Sequence, residues 1–278
     1  MIFLCLAILS SSAISLLMRV STDKISARLS MLGFNYLTCA LLGAAYAGFD
    51  LLCPEIPGFS ATVALGVVGG FFFLGGFVLC QWNSANNGIV LTSIFMKLGL
   101  LVPMALSVLV FREMPTLPQI IGFVLALGAI VLINLGNSEA GGRFRWQLPV
   151  MLLLCGGSDA MSKVFEVLGT EALSDQFLFY TFAMALALCA GLVIFKKERP
   201  GIRELLFGTA IGVPNFFSSK FLLLALGELP AVVVFPSFSI ATMLIATLAG
   251  VCFFKERLLK RQWLALIAII AALFLLNI

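Results

Sequence analysis

Six ionisable side chains interrupt long apolar runs of this sequence: Arg19, Lys97, Asp159, Lys163, Glu166 and Lys220. In hydrocarbon, such a charge must pair, face the protein interior or line a wet cavity, so each is a candidate for function. Asp159, Lys163 and Glu166 are spaced i, i+4, i+7, which allows them to share one helical face and neutralise one another. The same spacing would let Asp159 or Glu166 take up a proton or a cation. Lys97 stands alone in SIFMKLGLL, with Ser93 one turn before it and Pro103 beyond. Lys220 has a similar setting in PNFFSSK, where Pro214, Asn215, Ser218 and Ser219 precede it. Proline removes an amide donor and frees a carbonyl, so polar groups beside a proline suggest a bent helix lining a cavity. Lys97, with Ser93 on its own face, is therefore expected to meet an anionic group of a ligand, with Asn215, Lys220 and the Ser12/Ser15 face contributing hydrogen bonds. The competing expectation is that each lysine bonds a backbone carbonyl. Arg19 lies at the end of its run and can snorkel, below Ser11, Ser12 and Ser15. Tyr36 and Tyr180 suit either an interfacial anchor or a cavity lining.

The surroundings of these charges are a membrane. Of 278 residues, 62% are hydrophobic and only 11% charged, with mean hydropathy +1.14, against about half apolar and a quarter charged in soluble domains. A span needs about 20 apolar residues. Breaks at Gly, Pro and charge give ten: 2–20, 30–49, 61–82, 89–111, 119–136, 147–168, 175–195, 204–226, 231–253 and 262–278. The first begins apolar at once, so it reads as a retained span and not a cleaved leader. No histidine is present, and Cys5, Cys39, Cys53, Cys80, Cys155, Cys189 and Cys252 form no CxxC pair. No metal, cofactor or disulfide framework is expected. A net charge of +4 does not indicate nucleic-acid binding.

The connectors carry a directional signal. Odd-numbered ones hold Lys24, Arg28, Arg143, Arg145, Lys196, Lys197, Arg199, Arg203, Lys255, Arg257, Lys260 and Arg261, whereas even-numbered ones hold only Arg112. The positive-inside rule makes the odd connectors cytoplasmic and both termini extracytoplasmic.

The chain also repeats itself. FREMPTLPQIIGFVLALGAIVLINL from Phe111 aligns with FKERLLKRQWLALIAIIAALFLLNI from Phe254, matching Glu113 to Glu256, Gln119 to Gln262 and Asn134 to Asn277. Upstream, Gly66 and Gly70 match Gly208 and Gly212, Tyr36 matches Tyr180, and Arg19 matches Lys163. These GxxxG spacings are expected to let their helices approach a neighbour closely. Residues 1–137 and 138–278 thus read as two five-helix halves. An odd helix number makes the second half enter from the opposite side, an inverted repeat. The expected fold is an all-α polytopic membrane protein of ten transmembrane helices.

Two five-helix halves, each ending in a glutamate turn (Arg112-Glu113, Lys255-Glu256-Arg257), a glutamine and an apolar helix, resemble the EamA-like branch of the drug/metabolite transporter superfamily. The segment GIVLTSIFMKLGLLVPMALSVLVF is also similar to the fourth helix of sugar-phosphate and nucleotide-sugar carriers. There a lysine faces the substrate phosphate, a role that falls on Lys97. The ninth segment, VVVFPSFSIATMLIATLAG, departs from those carriers in lacking a second basic cluster, which favours a carboxylate or zwitterion.

The resemblance implies a secondary carrier for a small polar metabolite with an anionic group: an amino acid, a carboxylate or a sugar phosphate. It would work by alternating access, with the third, fourth, eighth and ninth segments around a central site. No GxxxxGK[ST] loop is present, so the expected energy source is an ion or exchange gradient, such as protons or a counter-substrate, or else the flow is downhill. The setting would be the bacterial cytoplasmic membrane, as monomer or homodimer. Alternatives are a broad exporter of amphipathic or cationic compounds, using Phe71 to Phe73, Phe216 and Phe217, and an intramembrane enzyme. Against the enzyme stand the missing HExxH and GxSxG motifs.

Overall fold

A computed structural model describes residues 1–21, 24–49, 51–52, 55–87, 89–134, 146–254 and 260–277. Among them the chain is helical throughout, with no strand. The helices are α1 (Ile2–Ser21), α2 (Arg28–Tyr46), α3 (Phe59–Asn87), α4 (Ile89–Leu98), α5 (Leu101–Leu109) and α6 (Leu117–Asn134). They continue as α7 (Gln147–Leu168), α8 (Ser174–Lys196), α9 (Ile202–Glu228), α10 (Ala231–Phe254) and α11 (Lys260–Leu276). Seven of these (α1, α2, α3, α7, α8, α9 and α10) are long and apolar enough to cross a membrane, and shorter apolar helices cover Phe95–Leu109, Leu117–Leu132 and Trp263–Leu276. Outward-facing Leu264, Ile267, Ile270 and Phe274 on α11 are exposed, as lipid-facing side chains would be.

The helices follow the ten expected segments with one difference: 89–111 is broken into α4 and α5. Pro103 is the cause. Lacking an amide hydrogen, it leaves the Gly99 carbonyl to Val102 (2.9 Å), and the turn before it tightens through Gly99 to Met96 (3.2 Å) and Leu100 to Lys97 (3.4 Å). The basic connector residues Arg143 and Arg145 and the second glutamate turn, Lys255 to Arg257, lie outside the described residues.

The chain forms two compact units, residues 1–74 with 161–227, and 75–160 with 228–278. Each therefore draws on both halves of the sequence. In the first, α2 packs along α8. Tyr36, Cys39, Ala40, Gly43 and Ala44 are buried on one helix, and Phe177, Thr181, Ala185 and Cys189 on the other. The glycine spacings do what their sequence implies, and they do it reciprocally. A Cβ at Gly66 would meet Tyr180 Cβ at 2.8 Å, and one at Gly70 would strike the Thr181 carbonyl, so α3 lies against α8. A Cβ at Gly208 would meet the Met31 carbonyl at 2.5 Å, and one at Gly212 the Thr38 Cβ at 2.6 Å, so α9 lies against α2. Without a hydrophobic drive between helices in lipid, such backbone contact supplies the packing energy.

The second unit is built on α6 and α11. Ala126, Ala129 and Ile130 bury against Ala265, Ile269 and Ala272. These positions fall in the register of the sequence repeat, in which Ala126 aligns with Ile269 and Ala129 with Ala272. Gly122 completes the stripe, its missing Cβ 3.1 Å from the Ala272 carbonyl.

Three glutamates far away in sequence satisfy amides at helix N-termini. Arg112 adopts a left-handed φ of 56° and turns the chain so that the Glu113 amide donates to the Ser107 carbonyl (3.0 Å), closing α5. The Glu113 carboxylate then accepts the Ala231 amide (3.0 Å) at the start of α10. Lys197 repeats the pattern with φ 54°. It ends α8, and Glu198 accepts the Ser30 amide (3.0 Å) in the first turn of α2, where Glu204 takes the Ser26 and Ala27 amides (3.3 Å each). In both places a basic residue in the left-handed conformation precedes a glutamate that caps another helix, joining an orphan donor to the positive helix end.

Two outcomes follow for stability in detergent. Gly208→Leu is expected to cost about 1–3 kcal/mol by overpacking, read as an earlier thermal transition, with Gly128→Leu as control because open space surrounds Gly128. Glu113→Ala should cost about 0.5–2 kcal/mol, the usual value of a lost N-cap, measured by the same melting curve.

Candidate functional site

The residues singled out by chemistry divide between the two units. In the second, α4 carries Lys97 next to the break, and the Gly99 backbone lies on α7. The Gly99 carbonyl occupies the place where a Cβ of Gly156 would stand, and a Cβ at Gly99 would lie 3.1 Å from the Gly156 amide nitrogen. Two glycines are required for this approach. Three residues along α7 from Gly156 is Asp159. Lys97 and Asp159 act on each other electrostatically, and Cys155, one residue before Gly156, shares that field. Neither charge has a direct ion-pair or hydrogen-bond partner among the described residues. Ser93 lies on α4 one turn earlier, its side chain outside the described ones.

The other candidates belong to the first unit, and most are satisfied there. Lys163 pairs with Glu166, Nζ to Oε2 at 2.5 Å, so the triad on α7 resolves into that pair and a separate Asp159. The expectation that all three neutralise one another fails for Asp159, whose electrostatic partner is on another helix. Lys220 is held by Asp175 of α8 at 2.7 Å and sits 3.7 Å from the Tyr46 ring centre, a cation–π contact. Asn215 donates to Asn35 Oδ1 at 3.1 Å. Neither shows the expected backbone-carbonyl bond or an open polar face. Ser15 donates back to the Ser11 carbonyl (3.2 Å), and Ser12 to the Ile8 carbonyl (2.7 Å). Arg19 is exposed at the end of α1, the position from which a long side chain snorkels. Tyr36 is buried, 2% exposed, edge-on to Phe73. Tyr180 donates its hydroxyl to the Leu51 carbonyl at 2.7 Å.

Among the aromatics, Phe216 is fully buried and Phe71 exposed, so they do not share one cavity wall. Phe217 and Phe221, stacked 5.7 Å apart, line a groove of about 480 Å³ with Pro214 of α9 and Leu9, Ser10 and Ala13 of α1. It is almost wholly apolar.

What sequence reasoning missed is the approach of the Lys97 and Asp159 segments at Gly99 and Gly156, and the ion pair of Lys220 with Asp175. The KLGLL and CGGSD glycines were the available signal, since a glycine within one turn of a charge on each of two spans marks a point where both can meet.

Apolar helices of spanning length, small-residue packing and charges set at depth define an integral, multi-pass membrane protein. The EamA-like transporter family matches residues 151–278, a stretch that holds the second of the two glutamate turns. Over 285 aligned residues it is 27% identical to a protein of Haemophilus influenzae (strain ATCC 51907 / DSM 11121 / KW20 / Rd) described as uncharacterized, covering 98% of this chain and 96% of that one. In fold, 99% of the chain matches 94% of a chain of known crystal structure with a TM-score of 0.75 at 15% identity.

The Lys220 contacts yield a stability outcome. A double-mutant cycle over Asp175→Asn and Lys220→Met is expected to show coupling of about 1 kcal/mol or more in melting experiments, with each single variant less stable than the double.

Proposed function

We propose that the protein is a secondary carrier for a small polar metabolite bearing an anionic group, with Lys97 as the residue that meets that group. One observation carries this reading: Lys97, a basic residue, stands at a helix break and has no direct ion pair among the described residues, in a chain whose residues 151–278 match a family of transporters. A charge left uncompensated at depth is costly unless water or a ligand answers it. The break at Gly99 gives a point about which the α4 end can tilt, which alternating access needs.

In this reading residues 1–137 and 138–278 are inverted repeats. The reciprocal seating of α3 on α8 and α9 on α2 supports it, as does the matched register of α6 and α11. Loop charge puts both termini outside the bacterial cytoplasmic membrane. Protons or a counter-substrate drive the cycle, and no catalytic step is assigned. A second reading, an exporter of amphipathic or cationic compounds, rests on the apolar groove between α1 and α9.

A thermal-shift screen separates the two. Sugar phosphates, carboxylates, amino acids and aromatic cations are added to purified wild type and to Lys97→Ala. Stabilisation of wild type by an anion-bearing metabolite, lost in Lys97→Ala, is the expected result. Equal stabilisation of both by aromatic cations alone would transfer the assignment to the groove.

A further inference from the structure

Two features of the first unit that the carrier reading leaves unused meet along one seam, where α1 lies beside α9. The first is the apolar groove of about 480 Å³ between Leu9 to Ala13 of α1 and Val213 to Phe221 of α9. The second is a set of exposed basic side chains at the end of the unit where α1 stops and α9 starts: Lys24, Arg28, Lys196, Lys197, Arg199 and Arg203. No carboxylate among the described residues forms an ion pair with them. The glutamates beside them are committed to backbone. Glu198 accepts the Ser30 amide (3.0 Å) and hydroxyl (3.1 Å), and the buried Glu204 accepts the Ser26 and Ala27 amides. Asp23 lies outside the described residues.

Helical register joins the two features. The Lys24 ammonium lies 5.8 Å from the Phe207 ring centre, so the connector after α1 reaches α9 at this end. From there Arg203, Phe207, Ala210, Pro214, Phe217 and Phe221 follow one another at i+3 and i+4 down a single face of α9 into the groove. On α1, Val20, Leu17, Ala13 and Ser10 form the facing stripe. Val213 and Phe221 stand six and fourteen residues beyond Phe207, which at 1.5 Å per residue puts the groove about 9–21 Å below the Lys24 contact. An acyl chain hung from a headgroup at Lys24 and Arg203 passes through that range, since one leaflet contributes about half of a 30 Å hydrocarbon core.

We infer that the seam between α1 and α9 binds a phospholipid with an anionic headgroup, its phosphate on Lys24 and Arg203 and one acyl chain in the groove. Basic side chains at the end of a span attract anionic lipid, and the groove turns that attraction into a site. A zwitterionic phospholipid offers the same chain but brings its own ammonium to the lysine and arginine. A soluble anion meets the two cations and leaves the groove unfilled. A second copy of the chain, related by an axis along the membrane normal, would set one basic end against another. An anionic lipid complements both halves of the seam. The inference goes beyond the transport assignment and holds for a carrier of any substrate. It also gives the groove an occupant other than the amphipathic cation of the exporter reading.

The test titrates phosphatidylglycerol and phosphatidylcholine of identical acyl chains into the full chain in a non-ionic detergent and counts bound lipid by native mass spectrometry. Phosphatidylglycerol is expected to bind about tenfold or more tightly than phosphatidylcholine and to raise the melting temperature. Equal affinities in the wild type overturn the proposal. Lys24→Gln with Arg203→Gln should remove most of the preference, whereas Lys196→Gln with Lys197→Gln, which deletes as many charges at the end of α8, should keep most of it. An equal loss in the two double variants means diffuse attraction to a basic surface and overturns the site. Ala13→Phe fills the groove and should weaken phosphatidylglycerol binding severalfold, with Ser10→Leu as a milder change in the same lining. Unchanged binding in both groove variants overturns the placement of the chain, and melting curves without added lipid verify that every variant folds. Glycerol 3-phosphate carries the charge without the chains and should not displace the lipid. If it competes as well as phosphatidylglycerol, the site belongs to a soluble anion. Tighter binding of dodecyltrimethylammonium than of phosphatidylglycerol, lost in Ala13→Phe, overturns the proposal in favour of the exporter reading.

Discussion

Hydrocarbon offers no hydrogen bonds, so every backbone donor and acceptor of a spanning chain must be answered by the chain itself. That constraint accounts for the all-helical build and for where its helices end. Arg112 and Lys197 each take a left-handed conformation that few non-glycine residues adopt. Each is followed by a glutamate whose carboxylate answers an orphan amide elsewhere: Glu113 at Ala231, Glu198 at Ser30. The first glutamate turn of the sequence repeat, Arg112-Glu113, is therefore a cap for a distant helix. The same shortage of partners makes close packing valuable. Gly66, Gly70, Gly208 and Gly212 let helices meet at van der Waals distance, where dispersion and not water release holds them.

Against that background the α4–α5 break stands out as a place where the helix ladder is interrupted within an apolar stretch. Pro103 makes the interruption, and Gly99 with Gly156 converts it into a helix contact. The result puts one basic and one acidic residue near irregular backbone, which membrane proteins tolerate where a cavity or protein surrounds it. By contrast, Lys220 was as promising from its neighbours in sequence, and Asp175 and Tyr46 account for its charge fully. The difference between the two lysines is a matter of partners brought from other helices.

That difference shows how far the sequence reaches. Helix positions, the glycine contacts and the resemblance to EamA-like transporters were legible because each rests on composition or on spacing within one segment. The break in 89–111 was half legible: Pro103 was visible, but a proline inside α9 or α10 leaves those helices continuous. The charge pairings were not legible. Asp159 and Glu166 both stand at helical spacing from Lys163, and nothing local decides between i−4 and i+3. The Lys220–Asp175 bond spans 45 residues and the Glu113–Ala231 cap 118, separations at which only the folded chain determines who meets whom.

The pairing of α2 with α8 and of α6 with α11 bears on how the chain is made. When the first half has left the ribosome, α2 and α6 already lie in the bilayer, yet the helices that cover their small-residue faces have not been synthesised. Lipid must line Gly43 and the Gly122–Ala129 stripe until α8 and then α11 arrive. Maturation of the first unit waits on residue 227, and that of the second on the final helix. Neither half passes through a finished intermediate on its own. Two separately translated halves would carry all the information needed to recognise each other, since each contains one member of both helix pairs.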